Sequence, residues 1–161
     1  MNIRPYTPDD WERVCQIHDA ARRDELAAAG LSAAYLTLQQ TAENEGFHDY
    51  VLRVAEVGEQ VLGFVAFTGE ELAWLYVDPV AYGKGVGTSL IRAALRESNA
   101  PMSVEVLDGN AAAIALYLKT GFQIVGNNQG VMPGNESFPV SVTVLLHPGL
   151  ASQDGLVNSP G

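Results

Sequence analysis

The sequence predicts a mixed α/β fold, with one mostly antiparallel central sheet of about seven strands flanked by helices. Three observations predict it. Between residues 50 and 77, three strand-like runs follow one another across very short turns, the pattern of an antiparallel meander. From residue 84 to residue 127, helical and strand-like segments alternate. The chain of 161 residues, 47% of them hydrophobic, is long enough for one sizeable core.

The elements can be justified in order. Residues 2–6 read as a strand. Thr7-Pro8-Asp9-Asp10 reads as a helix start, with Thr7 as cap and Pro8 at the first helical position, and this helix is expected to run to about residue 21. Arg22 to Leu31 reads as a charged connector, and Ser32 to Asn44 as a second helix. Strands at 50–57 and 60–69 form a hairpin across Gly58-Glu59, and a strand at 71–77 continues the run. Helix 84–97, strand 102–107, helix 110–120, strand 122–127 and a last strand at 137–146 complete the plan. Residues 1–147 are expected to form one domain without internal repeats. Residues 148–161, rich in Gly, Ser, Asn and Pro, read as a tail with little core.

The stretch Leu72 to Leu90, LAWLYVDPVAYGKGVGTSL, carries the first functional signal. A buried strand ends at Asp78-Pro79, and a loop with Gly83, Gly85 and Gly87 leads into a helix. Such a loop leaves backbone N–H groups free at the positive end of the helix, where they suit a phosphate. A close-packed strand–helix turn would explain the glycines equally well. Lys84 is followed by Gly85 rather than Ser or Thr, which departs from a P-loop. The sixth positions counted from Gly83 and Gly85 are Thr88 and Leu90, which departs from the dinucleotide fingerprint.

A second segment, SVEVLDGNAAAIALYLKTGFQIV from Ser103, reads as strand, capped helix and strand, with Gly121 ending the helix. Together the two segments resemble the GNAT superfamily of acetyl-CoA-dependent N-acetyltransferases. Tyr82-Gly83-Lys84-Gly85-Val86-Gly87 is similar to that family's Gln/Arg-x-x-G-x-G/A. Asn110, Ala113, Tyr117, Gly121 and Phe122 are similar to its N-x-x-A-x-x-x-Y-x-x-x-G-F. Tyr82 departs from the pattern, standing where the family usually has Gln or Arg. The likeness is firm over 72–125 and extends more thinly from Asn2 to His147.

The resemblance implies acetyl-CoA as cofactor, bound at a splayed pair of parallel strands. Leu75, Tyr76 and Val77 would offer it backbone groups, and Tyr82, Gly83, Lys84, Gly85, Val86, Gly87 and Thr88 would hold its pyrophosphate. Asn110, Ala113 and Tyr117 would line the rest of its path. Transfer of acetyl to an amine needs a base, an oxyanion donor and an acid for the leaving thiolate. Glu105 is the candidate base, because Val104 and Val106 would keep it partly desolvated, and Tyr117 is the candidate acid. Glu70 and Glu71 are an alternative base or an amine-binding pair. The acceptor pocket, implied at about 20–48 and 127–138, would draw on Asp24, Glu25, Tyr35, Phe47, Glu71 and Phe138.

Composition narrows the partners. With 19 acidic and 9 basic residues, the net charge of −10 opposes nucleic-acid backbones and anionic membranes and favours a cationic amine. One of only two lysines, Lys84, sits in the glycine loop. No apolar run approaches spanning length, and no signal-peptide or lipidation feature is read at the N-terminus. The single Cys15 fits a reducing cytoplasm and reads as a core residue, while His18, His48 and His147 read as structural or surface side chains. No metal-ligand spacing is found. A monomer or homodimer is expected. Two rival readings are a non-catalytic acyl-CoA-binding module of the same fold and a dinucleotide-binding oxidoreductase.

Overall fold

All seven expected strands are present in the computed structural model, which describes residues 1–150. They are β1 (Asn2–Pro5), β2 (Val51–Val57), β3 (Gln60–Phe67), β4 (Glu71–Val77), β5 (Met102–Leu107), β6 (Gln123–Met132) and β7 (Asn135–His147). Four α-helices accompany them: α1 (Trp11–Ala28), α2 (Leu38–Thr41), α3 (Val86–Ser98) and α4 (Ala111–Lys119). The sheet order is β1-β2-β3-β4-β5-β7-β6, and only the β4–β5 pair is parallel. The β2–β3 hairpin turns across Gly58-Glu59, where Gly58 takes φ +64° as a two-residue turn requires.

Strand alternation divides the core into two layers. Val65, Phe67, Leu72, Val104 and Val106 face α3 and α4, packing on Leu90, Ile91, Ala94 and Tyr117. Phe64, Ala66, Trp74 and Tyr76 face α1 and α2, packing on Val14, Ile17, Ala21, Leu38 and Phe47. Gly63 lets the start of α3 approach the sheet closely: a Cβ there would stand 2.9 Å from Val86 and 3.0 Å from the Tyr76 carbonyl. This packing fixes the glycine loop over the end of β4. No helix among the described residues is long and apolar enough to cross a membrane.

The structure corrects four expectations. First, α1 runs to Ala28 rather than residue 21. The charges of Arg22 to Glu25 do not break it, since the i,i+3 pair Arg22–Glu25 supports the helix, which yields to Gly30 at φ +72°. Second, Ser32–Asn44 is not one helix. Thr37 and Gln40 form a capping box that starts α2 afresh, leaving a 3-10 turn at Ser32–Ala34 and extended backbone at Tyr35. Third, residues 127–138 are mostly strand. Pairing extends to Met132↔Asn135 around Pro133-Gly134, and Asp108 anchors the hairpin through Ser141, Thr143 and Asn127.

Fourth, the two residues after Pro148 are not free of the core. Gly149, at φ +92°, is buried against Ala100 and donates to His147 Nδ1 at 2.9 Å, and Leu150 packs on the core. The remainder of that expectation, residues 151–161, lies outside the described residues.

Candidate functional site

β4 and β5 pair at only two positions, Glu71↔Ser103 and Leu72↔Val104, and then diverge. Beside this point β4 carries a bulge: Ala66 opposes Trp74 while Phe67 opposes Leu72, so Ala73 has no partner on β3. The bulge turns the rest of β4 away from β5 and opens a gap in the sheet. The Asp78 N–H bonds the Leu62 carbonyl at 2.8 Å, and strand amides alternate in direction. The N–H groups of Leu75 and Val77 therefore point away from β3, into the gap. That of Tyr76 points to β3, so the backbone contact expected from Tyr76 is not available on the gap side.

The glycine loop continues from this gap. Asp78 accepts from the Val80 N–H at 3.1 Å and from Arg13 at 2.5 Å, which pins the end of β4 to α1. Gly83 (φ +75°) and Gly85 (φ +83°) then take left-handed conformations, and an added Cβ on either would meet nothing within 4 Å. The N–H groups from Gly83 to Thr88 find no acceptor among the described residues. They lie in and just before the first turn of α3, where the helix dipole favours an anion. Lys84 is exposed beside them. Gly87 serves packing instead, since its Cβ would stand 3.0 Å from Leu116 on α4. Tyr82 is half-exposed and donates to Asp24 at 3.2 Å, so it tethers the loop to α1.

On the α4 side, Asn110 caps the helix by accepting from the Ala113 N–H at 3.2 Å. Tyr117 is buried, with its ring edge-on to Phe122 at 5.2 Å. Burial, reinforced by the charge of Glu25, pushes its phenol well above the ordinary range, so the proton is retained. Its hydroxyl has no side-chain partner among the described residues.

On the opposite face of the sheet lies a cleft of about 740 Å³. Glu25, Glu45, Glu71 and Glu105 line it, with Tyr50, Trp74 and Tyr76 as aromatic wall and the β6–β7 turn as far side. Within it Glu25 accepts from Tyr76 at 2.8 Å and from Arg22. Arg22 also reaches the sulfur of Met132 at 3.1 Å, tying α1 to the hairpin. His18 stands edge-on to Tyr76 at 4.8 Å, and burial lowers its pKa despite the hydrogen bond it makes to Asp19. Burial raises the pKa of Glu45, and Tyr50 donates to Glu71 at 3.0 Å. Four carboxylates against one arginine make the cleft electronegative.

The sequence-predicted residues divide clearly. Glu25, Glu71, Glu105 and Tyr76 line the cleft, while Leu75, Val77, Val86, Ala113 and Tyr117 pack together on the other face of the sheet. Glu105 does not have the environment expected of it: Val104 and Val106 point into the core, and alternation leaves Glu105 exposed on the cleft rim. Phe47 is fully buried beneath Trp11, Phe64 and Trp74 and does not reach the cleft. Phe138 and Tyr35 pack in a small apolar cluster with Leu26, Ala34 and Met132, and Arg23 lies 4.5 Å over the Tyr35 ring. Cys15 packs against the core, and burial pushes its thiol up to about 11, as suits a structural cysteine. His18, read as a structural or surface side chain, and Arg22, read as part of a connector, both line the cleft. With Glu25 they fall at i, i+4 and i+7 on one helix face, a spacing hidden once the helix was ended at residue 21.

A family model described as an acetyltransferase (GNAT) domain matches residues 43–124. A peptidyl-lysine N-acetyltransferase, YjaB, from Salmonella typhimurium is 33% identical over 131 residues, covering 80% of this chain and 88% of its own. Among solved structures, the apo form of YjaB from Escherichia coli superposes with a TM-score of 0.66 at 24% identity, covering 92% of this chain and 97% of that one. A GNAT superfamily phosphinothricin acetyltransferase from Sinorhizobium meliloti, solved with AcCoA, has a TM-score of 0.68 at 17% identity, covering 92% and 88%. At these identities the two structures establish a shared fold.

Proposed function

The chain belongs to the GNAT acetyltransferases, which use acetyl-CoA, and from that premise we propose that it acetylates a primary amine, with a peptide lysine side chain as the first acceptor to test. The acceptor class comes from the Salmonella relative, whose name assigns it peptidyl lysine. The observation that carries the reading is the gap between β4 and β5, which joins the free amides of the glycine loop to an electronegative cleft.

The residues present suit acetyl-CoA. Six consecutive loop amides and the Lys84 ammonium would hold its pyrophosphate, and the open space at Gly83 and Gly85 admits it closely. The edge of β4 would hydrogen-bond the amide groups of its arm, with Asn110 and Ala113 bordering the path. When bound, acetyl-CoA supplies an acetyl thioester. The Leu75 and Val77 N–H groups are fixed donors aimed into the gap, and either can steady charge developing on a carbonyl oxygen, worth a few kcal/mol. Tyr117 keeps its proton at neutral pH and is the acid for a thiolate. Glu105, on the rim, takes the amine's proton directly or through water. Glu25 and Glu71 draw the acceptor's ammonium into the cleft before it is deprotonated.

Calorimetric titration with acetyl-CoA, with NAD as control, tests the cofactor, and thiol release with lysine peptides tests the transfer. Micromolar binding of acetyl-CoA alone, with amine-dependent thiol release, is the expected result. Binding without release for any amine would reduce the protein to an acyl-CoA-binding module. Absence of binding would mean that Tyr82, tethered to Asp24, marks a loop no longer used for the cofactor.

A further inference from the structure

The cleft wall holds a nitrogen with a lone pair and no partner among the described residues, Nε2 of His18. Nδ1 of the same ring lies 2.9 Å from Asp19 Oδ1, and that oxygen also accepts the Leu38 N–H at 2.9 Å, at the start of α2. A carboxylate can only accept, so Nδ1 carries the imidazole's proton and Nε2 keeps its lone pair. The unpartnered side-chain atoms sealed from solvent among the described residues are the Tyr35 and Ser98 oxygens, so Nε2 is not sealed and opens to the cleft. His18 as a whole is 3% exposed, and its ring stands at 69° to that of Tyr76, 4.8 Å away. Tyr76 is the β4 residue between Leu75 and Val77, whose N–H groups point into the gap.

We propose that His18 is a further catalytic residue of the acetyl transfer, with Asp19 as its positioning residue, a proposal that rests on the reading of the chain as an amine acetyltransferase. Transfer to an ammonium removes two protons from one nitrogen. The first leaves before attack, to Glu105 directly or through water. The amine then attacks the thioester carbon, the N–C bond forms, and the nitrogen becomes positive again. Nε2 of His18 takes this second proton as the C–S bond breaks and the sulfur receives the proton of Tyr117. Of the two protons shed, one restores Tyr117 and the other passes to solvent. The carboxylates of the cleft suit the second proton less. Glu25 is occupied by Tyr76 and Arg22, Glu71 by Tyr50, and Glu105 is exposed on the rim. Glu45 stands on a turn, whereas His18 is fixed by α1 and by the ring of Tyr76. Burial holds the imidazole neutral, and an unprotonated nitrogen is what a base needs.

Thiol release at saturating amine, followed across about pH 5 to pH 8, tests the proposal. The groups facing His18 are Asp19, Arg22 and Glu25 from α1 and Tyr76 from β4, with Glu45, Glu71 and Glu105 elsewhere on the cleft wall. Burial is the largest influence and lowers its pKa, Arg22 lowers it further, and Asp19 and Glu25 raise it. kcat should therefore hold above the ordinary pKa of about 6.5 and fall as pH drops through the lower value of the folded protein. Asp19→Asn keeps an oxygen for the Leu38 N–H and removes a charge that raises this pKa, so the acid limb should move to lower pH. His18→Gln should remove that limb and lower kcat about ten-fold or more, with acetyl-CoA affinity unchanged by calorimetry. In the unaltered chain, the imidazole nitrogen shifts by NMR at neutral pH should show His18 protonated at Nδ1 and bare at Nε2, a readout that does not depend on the folding of any variant. A proton on Nε2, an acid limb that Asp19→Asn leaves in place, or full kcat in His18→Gln would overturn the proposal and leave the acetyltransferase reading standing. Absence of thiol release from the unaltered chain with every amine would overturn both.

Discussion

The phenol of Tyr76 donates a 2.8 Å hydrogen bond to the carboxylate of Glu25, joining β4 to α1 inside the cleft. Arg22 holds the same carboxylate from the helix side, so Glu25 is fixed with two donors and a free face toward the cleft. A carboxylate held this way attracts an ammonium with little reorganisation. Glu25→Gln is expected to raise KM for the amine about 10- to 100-fold, the equivalent of losing one charged hydrogen bond. Acetyl-CoA affinity should stay within a few-fold by calorimetry. An unchanged KM would remove Glu25 from acceptor binding.

Tyr117 is tested by removing only its oxygen. Tyr117→Phe keeps the ring against Phe122 and should lower kcat ten-fold or more while acetyl-CoA affinity changes little. The pH profile gives a second readout. Burial and Glu25 hold this phenol above its ordinary range, so kcat should show no loss through pH 10 from deprotonation of Tyr117. A fall near pH 10 in the wild type that disappears in Tyr117→Phe would contradict that environment.

The sheet was legible because its signals are local. Gly58-Glu59 marks the hairpin, and the strands at 71–77 and 102–107 have the limits read from their residues. The glycine loop and the Asn110 cap were legible for the same reason. What was missed depends on tertiary context. Asn, Gln and Gly between 126 and 130 have weak strand propensity, and pairing with β7 overrides it. The side on which Glu105, Phe47 and Phe138 lie follows from strand direction and loop packing, which residue type alone does not give. The Ala73 bulge, on which the gap depends, has no glycine to announce it.

Two buried histidines set the acid limit of stability. His18 and His147 both have lowered pKa values because burial disfavours the imidazolium, and His147 must stay neutral to accept the Gly149 N–H. The unfolded chain then binds more protons than the folded one at pH values below the unfolded pKa of about 6.5. Their contribution is therefore complete above about pH 6.5 and is lost as pH falls toward the folded values. Denaturant midpoints should fall between pH 7.5 and pH 5.5, roughly one unit either side of 6.5. His147→Gln should flatten that dependence, and an unaltered slope would show that His147 carries none of it. Asp10 and Asp78, with lowered pKa values from Arg4 and Arg13, act in a separate window below about pH 4.

Two glycines with positive φ should respond oppositely to alanine. Gly85 has open space around it, so Gly85→Ala carries only the cost of a left-handed alanine, about 1–2 kcal/mol. Its methyl, however, stands where an anion would approach the loop amides, so acetyl-CoA affinity should fall about ten-fold or more, the equivalent of losing a hydrogen bond to a charged group. Gly109 packs directly on the end of α1: a Cβ there would stand 2.7 Å from the Ala28 carbonyl oxygen and 3.1 Å from Ala29 Cα. Both contacts are backbone, so α1 itself would have to move. Gly109→Ala should cost about 2–4 kcal/mol through overpacking and strain at φ +97°. That corresponds to a Tm lower by about 5–15 °C. Since α1 carries His18, Arg22 and Glu25, the same replacement should raise KM for the amine more than Kd for acetyl-CoA. Parallel thermal melts and titrations on the two variants check the contrast, and equal losses of Tm would mean that the α1 contact at Gly109 does not hold the helix in place.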